Sequence, residues 1–217
     1  MTVDKNIQYI RSLLKEEQDT GRLRREEEQR HIPVIRPEVL RLLTLCIRLS
    51  KTEKILEIGA GEGYSAICFA KAIGENADII TIEQDEERVH AARSNIQAFG
   101  LKKAITVIHD DAAAACRSMP GEEIFDMVFL DGPKTHYLSL LDDCIRLVKT
   151  GGLIVADNVL YFGMVSGEKE LLRKKRTSTE HLQEFLEAVT TDARLLTAII
   201  NFEDGLAISM KKEEKNQ

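Results

Sequence analysis

The stretch "LEIGAGEGYSAICFA", residues 56–70, sets Gly59, Gly61 and Gly63 between an apolar run and the first turn of a helix. A glycine-rich turn after a first strand lets backbone approach a ligand at the carboxyl edge of an open α/β sheet. Outward from this loop, short apolar segments rich in β-branched residues recur at Lys54–Ile58, Ile79–Glu83, Ile105–His109, Met127–Asp131 and Leu153–Asp157 and read as strands. Helical patterns fall between them, at Ser65–Ile73, Glu86–Phe99, Asp111–Met119 and Tyr137–Val148. Strand and helix in alternation imply an α/β, Rossmann-like, doubly wound and mostly parallel sheet with helices on both faces. "RLLTAIINF" and "GLAISMKK", joined by a turn at Glu203–Gly205, add an antiparallel C-terminal hairpin as the sixth and seventh strands.

"RPEVLRLLTLCIRLS", residues 36–50, reads as a buried helix with Pro37 in its first turn. Residues 3–30 have helical spacing at Ile7, Ile10, Leu13 and Leu14, then the run "GRLRREEEQRH", polar on nearly every face. The expected organisation is one domain over residues 1–217, with residues 1–35 a helical lid and 36–217 the catalytic core. No apolar run approaches the roughly 20 residues that span a bilayer, and the mixed-charge N-terminus is unlike a signal peptide. A cytoplasmic protein without membrane contact is expected. Cys46, Cys68, Cys116 and Cys144 lack CxxC spacing and read as reduced structural thiols. A net charge of -6 argues against nonspecific coating of nucleic acid, though a local basic patch remains able to grip phosphates.

The glycine spacing is GxGxG, not the GxGxxG of dinucleotide folds, and Glu57 precedes it by two residues. A carboxylate there repels pyrophosphate and suits a cationic amino acid moiety, which favours S-adenosylmethionine over a nicotinamide or flavin dinucleotide. A tight turn without a ligand is the competing reading. Glu83, ending "IITIEQD", can accept hydrogen bonds from two ribose hydroxyls. In "IHDDAAAA", Asp110 or Asp111 can accept the adenine amino proton, or simply cap the next helix. Two further strand ends are acidic: "FLDGPKTHY" offers Asp131 with Lys134 and Tyr137 behind it, and "VADNVL" offers Asp157 with Asn158. Two carboxylates and an amide make a hard oxygen set suited to Mg²⁺ (or Mn²⁺). All five strand ends are expected to converge on one edge of the sheet. His109 and His136 are isolated and stay outside the metal shell.

With "DGLAIS" at residues 204–209, these motifs in this order resemble the cation-dependent class I O-methyltransferases, the family of catechol and caffeoyl-CoA O-methyltransferases. The likeness covers about residues 30–210. It implies a divalent metal at Asp131, Asp157 and Asn158, with Lys134 as catalytic base beside Asp131. It also implies S-adenosylmethionine held by Ile35, Glu57, Gly59, Gly61, Ser65, Glu83, Asp111, Ala112 and Asp131. Two positions depart from the pattern: Gly132 where relatives commonly have Ala, and Asp110 where they have Gly, so Asp110 and Asp111 both stay in play.

A metal that grips vicinal oxygens serves a catechol, or a 5-hydroxyuridine through its hydroxyl and neighbouring carbonyl. Two basic runs, with Arg22, Arg24, Arg25 and Arg30 in the first and Arg173, Lys174, Lys175 and Arg176 in the second, supply candidate contacts to RNA phosphates. They also read as solvated charged helices. Across its length, including "HIPVI" at residues 31–35, the chain is most similar to the bacterial branch that methylates 5-hydroxyuridine. This implies a tRNA anticodon loop as partner and 5-methoxyuridine at the wobble position as product. The alternatives are a small phenol or catechol acceptor, or a non-catalytic adenosylmethionine-binding module. A homodimer is expected, with the apolar face of the N-terminal helix as its contact.

Overall fold

The protein is described here by a computed structural model covering residues 5–213. Its seven strands are β1 (Lys54–Ile58), β2 (Asp78–Glu83), β3 (Ile105–His109), β4 (Phe125–Leu130), β5 (Val148–Asp157), β6 (Leu195–Ile200) and β7 (Leu206–Lys211). They form one sheet in the order β3-β2-β1-β4-β5-β7-β6. β1, β2 and β3 pair in parallel, as do β4 and β5, while β7 runs antiparallel to both β5 and β6. The expected doubly wound sheet with its terminal hairpin is therefore present. The chain divides into two compact units, Met1–Asp111 and Ala112–Gln217.

The first unit carries α1 (Lys5–Leu13), α2 (Gln18–Gln29), α3 (Pro37–Ser50), α4 (Tyr64–Ile73) and α5 (Glu86–Ala98) with β1 to β3. Its core joins Leu43 and Ile47 of α3, Ile55, Leu56 and Ile58 of β1, Ile67 and Phe69 of α4, and Ile79 and Ile82 of β2, all at most 2% exposed. Each such side chain contributes about 1.5–3 kcal/mol by leaving water. α3 starts with Pro37 at its first turn, as expected, and ends on Lys51 in the left-handed region. The N-terminal segment differs from expectation. It is two helices, and α2, although polar in composition on nearly every face, buries one side through Thr20, Leu23 and Glu27 at helical spacing.

The second unit carries α6 (Ala112–Ser118), α7 (Tyr137–Leu147) and α8 (Arg176–Thr191) with β4 to β7. Tyr137 and Phe185 pack edge to face at 5.4 Å between centroids. α8 extends past the second basic run and is not a wholly solvated helix: Thr179, Leu182, Phe185 and Val189 form its buried face. β5 starts earlier than expected, at Val148, because it bulges: Val148 pairs with Phe125 and Leu153 with Met127. Gly152 lies in this bulge, where an added Cβ would stand 2.8 Å from the Asp126 carbonyl oxygen. Cys116 and Cys144 are buried cysteines in α6 and α7. Among the described residues no helix is long and apolar enough to cross a membrane.

Candidate functional site

In the first unit the loop from β1 to α4 has left-handed backbone at Gly59, Gly61 and Gly63, with φ of 101°, 51° and 91°. L side chains are strained there, which accounts for the GxGxG spacing. The Glu83 carboxylate, at the end of β2, holds the loop. One oxygen accepts the Gly61 N–H at 3.0 Å and the other accepts the N–H groups of Gln84 and Asp85. Glu57 is fully buried, and its oxygens accept hydroxyl hydrogen bonds from Ser65 and Thr81, both 2.5 Å long. The register explains this: Glu57 and Thr81 are partners in parallel neighbours, so their side chains share a face. The loop therefore presents Ser65 from α4 with Glu57 fixed behind it. Asp110 is exposed and accepts the Asp111 N–H, while half-buried Asp111 directly precedes α6. Ile35, 2% exposed, lies between α2 and α3 and lines a cavity of about 560 Å³ with Arg11, Glu16, Arg24 and His31. His109 meets the Gln84 carbonyl oxygen at 3.1 Å.

The second unit holds Ala112, the first residue of α6, and the acidic cluster. β4 delivers Asp131 and β5 ends on Asp157, which is 3% exposed. The Lys134 ammonium donates to Asp131 Oδ1 at 3.2 Å and to the Tyr137 hydroxyl at 2.7 Å. That hydroxyl also lies 2.9 Å from the Leu130 carbonyl oxygen and 3.2 Å from that of Asp157. Tyr137 thus ties the ends of β4 and β5 together, a role that its position behind Asp131 in the sequence did not disclose. His181 of α8 fixes the same turn through the Thr135 carbonyl, at 2.9 Å. Burial acts to lower the Lys134 pKa, but Tyr137, Asp131 and Asp157 outweigh it and hold the ammonium above the ordinary lysine value. Burial pushes the Tyr137 phenol up as well. Asp157 Oδ1 accepts the Asn158 N–H at 2.7 Å, and Asn158 is left-handed at φ 57°.

Lys134 joins Asp131 to the Tyr137 hydroxyl, which lies 3.2 Å from the Asp157 carbonyl oxygen, so the ends of two separate strands meet in one small region. Carboxylate, carboxylate and amide are hard oxygen donors, and the set fits a divalent cation of the Mg²⁺ class. Among the described residues no three His, Cys, Asp or Glu side chains could hold a metal together. An ion here would accordingly rest on this trio with water or acceptor oxygens.

The loop after Asn158 is strained. Tyr161 and Phe162 are consecutive left-handed residues at φ 44° and 60°. Buried Asp204 holds the turn, its carboxylate accepting the Phe162 N–H at 2.9 Å. Lys175 donates to the Tyr161 hydroxyl at 2.7 Å and lies over its ring. Arg173, Lys174 and Arg176 stay exposed. In the first basic run Arg22 and Arg25 are exposed, Arg24 pairs with Glu16 and Glu28, and Arg30 pairs with Glu62.

A family model described as O-methyltransferase matches residues 12–212. The catechol O-methyltransferase of Niastella koreensis is 31% identical, over 82% of each chain. A solved Staphylococcus aureus protein of the caffeoyl-CoA O-methyltransferase type is 29% identical and superposes with a TM-score of 0.89, over 96% of this chain and 100% of that one. A Bacillus cereus O-methyltransferase solved with SAH, 22% identical, shares the fold at a TM-score of 0.82, over 94% and 96% of the two chains. Strand order, motif order and these matches agree, and the chain belongs to the O-methyltransferase family.

Proposed function

We propose that this O-methyltransferase takes its methyl group from S-adenosylmethionine and passes it to an oxygen of 5-hydroxyuridine at the wobble position of tRNA. The observation that carries the reading is the cluster of Lys134, Asp131, Tyr137 and Asp157. Asp131, Asp157 and Asn158 would hold a divalent cation. When bound it would acidify a coordinated hydroxyl and weaken the grip of both carboxylates on the Lys134 proton.

The chain's own residues have distinct tasks. Gly59, Gly61 and Ser65 admit the methionine end of the donor, with Glu57 orienting the Ser65 hydroxyl. Glu83 takes the ribose and Asp111 with Ala112 the adenine. The methyl carbon is already electrophilic, so the remaining demand is a deprotonated, aligned acceptor oxygen. Lys134 supplies the base: once neutral, its Nζ accepts the acceptor's proton, with the Tyr137 hydroxyl holding the amine in place. Lys134→Ala is expected to lower kcat about a hundredfold or more while the dissociation constant for SAH changes by less than about twofold. Unchanged turnover would remove Lys134 from the role.

Exposed Arg173, Lys174 and Arg176 support a nucleic-acid acceptor, since cations beside an acceptor mouth meet phosphates, and an unpaired anticodon base can be splayed out. Similarity to a catechol O-methyltransferase supports the second reading, a small catechol. Labelled S-adenosylmethionine with Mg²⁺, offered hydroxylated tRNA or a catechol, separates the two. Label is expected in tRNA, at a rate that falls when Arg173, Lys174 and Arg176 are neutralised. Transfer to catechol alone, indifferent to those substitutions, would refute the tRNA acceptor.

A further inference from the structure

The glycine loop is held from the N-terminal side by a contact that no motif announces. Arg30, at the C-cap of α2, places Nη1 2.7 Å and Nη2 2.5 Å from the two carboxylate oxygens of Glu62. Glu62 sits between Gly61 and Gly63 and is 7% exposed, and its carbonyl accepts the Asn95 amide of α5 at 2.9 Å. A two-pronged guanidinium on a carboxylate fixes direction as well as distance. This contact and Glu83 therefore constrain adjacent residues, Glu62 and Gly61, from two different elements.

Glu27 lies three residues before Arg30 and is 1% exposed, and among the described residues its Oε1 has no hydrogen-bond partner. An ionised carboxylate is costly in such a place, because burial opposes its hydration and no described protein donor reaches that oxygen. Burial pushes Glu27 up to about 8; Glu62 adds to the shift and Arg30 opposes it. Among the charged groups, Glu62 from the loop and Arg30 from the helix end act on Glu27. The cation of α4, the other element packed on α2, is Lys71, and it is engaged with Glu17 and Asp19 at the far end of α2. One guanidinium thus faces two carboxyl groups and is committed to one of them.

We infer that Arg30 and Glu27 are positioning residues that clamp α2 onto the glycine loop: Arg30 holds Glu62, and neutral Glu27 leaves that guanidinium unshared. The consequence for ligand affinity rests on the reading of the loop as the adenosylmethionine site. When Glu27 ionises, Arg30 is divided between two anions, Glu62 loosens, and the loop loses its flank. Affinity for the cofactor then falls as pH rises through about 8. Arg30, a candidate RNA contact from the sequence, is on this account a half-exposed strut whose guanidinium is engaged by buried Glu62.

Two measurements test the clamp independently. Hydrogen exchange at the amides of residues 60–64, compared at one pH near 7, needs no ligand. Arg30→Ala is expected to speed it about tenfold, and the exchanged pair Arg30→Glu with Glu62→Arg to restore most of the protection. If Arg30→Ala does not fold, Arg30→Lys, which keeps the charge but loses the fork, is expected to give an intermediate rate. Exchange within twofold of wild type in every soluble variant would overturn the clamp. SAH affinity by calorimetry is expected to weaken severalfold from pH 7 to pH 9 in wild type and to stay flat in Glu27→Gln. Parallel pH profiles would overturn the part given to Glu27, whereas wild type failing to bind SAH would instead sink the cofactor reading. The sign also appears in stability. Burial pushes the Glu27 carboxyl from its ordinary 4.5 up to about 8 in the fold, so rising pH favours unfolding across that window and not below it. The melting temperature of Glu27→Gln should therefore pull ahead of wild type between those limits, and a gap independent of pH would count against a neutral Glu27.

Discussion

Asp157→Ala is expected to abolish methyl transfer, with kcat/KM lower by about a thousandfold or more. Lewis-acid assistance supplies several kcal/mol of charge stabilisation, and each factor of ten in rate corresponds to about 1.36 kcal/mol. The residue is almost fully buried at the end of β5, and its Oδ1 fixes the Asn158 N–H. Alanine removes one proposed ligand and leaves Asn158 left-handed without the acceptor that holds it there, so two of three oxygen donors are lost together. Asp157→Asn separates the effects: it keeps an acceptor for the Asn158 N–H and discards the charge. A loss nearly as deep as in the alanine variant would assign the effect to charge. Retention of full activity by Asp157→Ala in the presence of a chelator would remove the cation from the reaction.

Gly205→Ala is expected to cost about 3 kcal/mol of stability, or more, because two penalties add. Gly205 has φ 76°, where an L residue loses about 1–2 kcal/mol. An added Cβ would also stand 2.4 Å from Leu160 Cγ and 2.9 Å from its Cβ, closer than atoms can pack; overpacking typically costs about 1–3 kcal/mol. The damage reaches the site, since the Gly205 carbonyl accepts the Val159 N–H and Asp204 anchors Leu160 and Phe162. Urea denaturation measures the loss. The double variant Leu160→Ala with Gly205→Ala should not show the sum of the two single losses, because it relieves the clash while keeping the backbone penalty. Strict additivity would show that the close approach is not what disfavours the side chain.

The parts of the fold visible in the sequence are those that local chemistry dictates. Ile55, Ile58, Ile79 and Ile82 mark strands by composition, and the alternation of strands with helices fixes the sheet class before any contact is known. Asp131, Asp157 and Glu83 stand out as candidates because each ends or follows an apolar strand, and Lys134 because it comes three residues after Asp131. Residues whose role depends on distant partners were not. Glu27 looks like one more charge in "RREEEQR" until Glu62, thirty-five positions on, is found beside it. α8 hides its buried face, Leu182, Phe185 and Val189, among polar residues behind a basic run. Tyr137 stands in the sequence only as a residue behind Asp131, and it is the closeness of the Leu130 and Asp157 carbonyls that reveals it as the tie between two strand ends.

Cys116 and Cys144 are sealed inside the second unit, and burial raises the Cys144 thiol well above its ordinary value. Oxidants and alkylating drugs attack thiolates that they can reach, and while the unit stays folded Cys144 offers neither the charge nor the access. Its sulfur chemistry is thus a latent property of the unfolded chain, and it is a thiol that reducing agents need not protect while the unit stays folded.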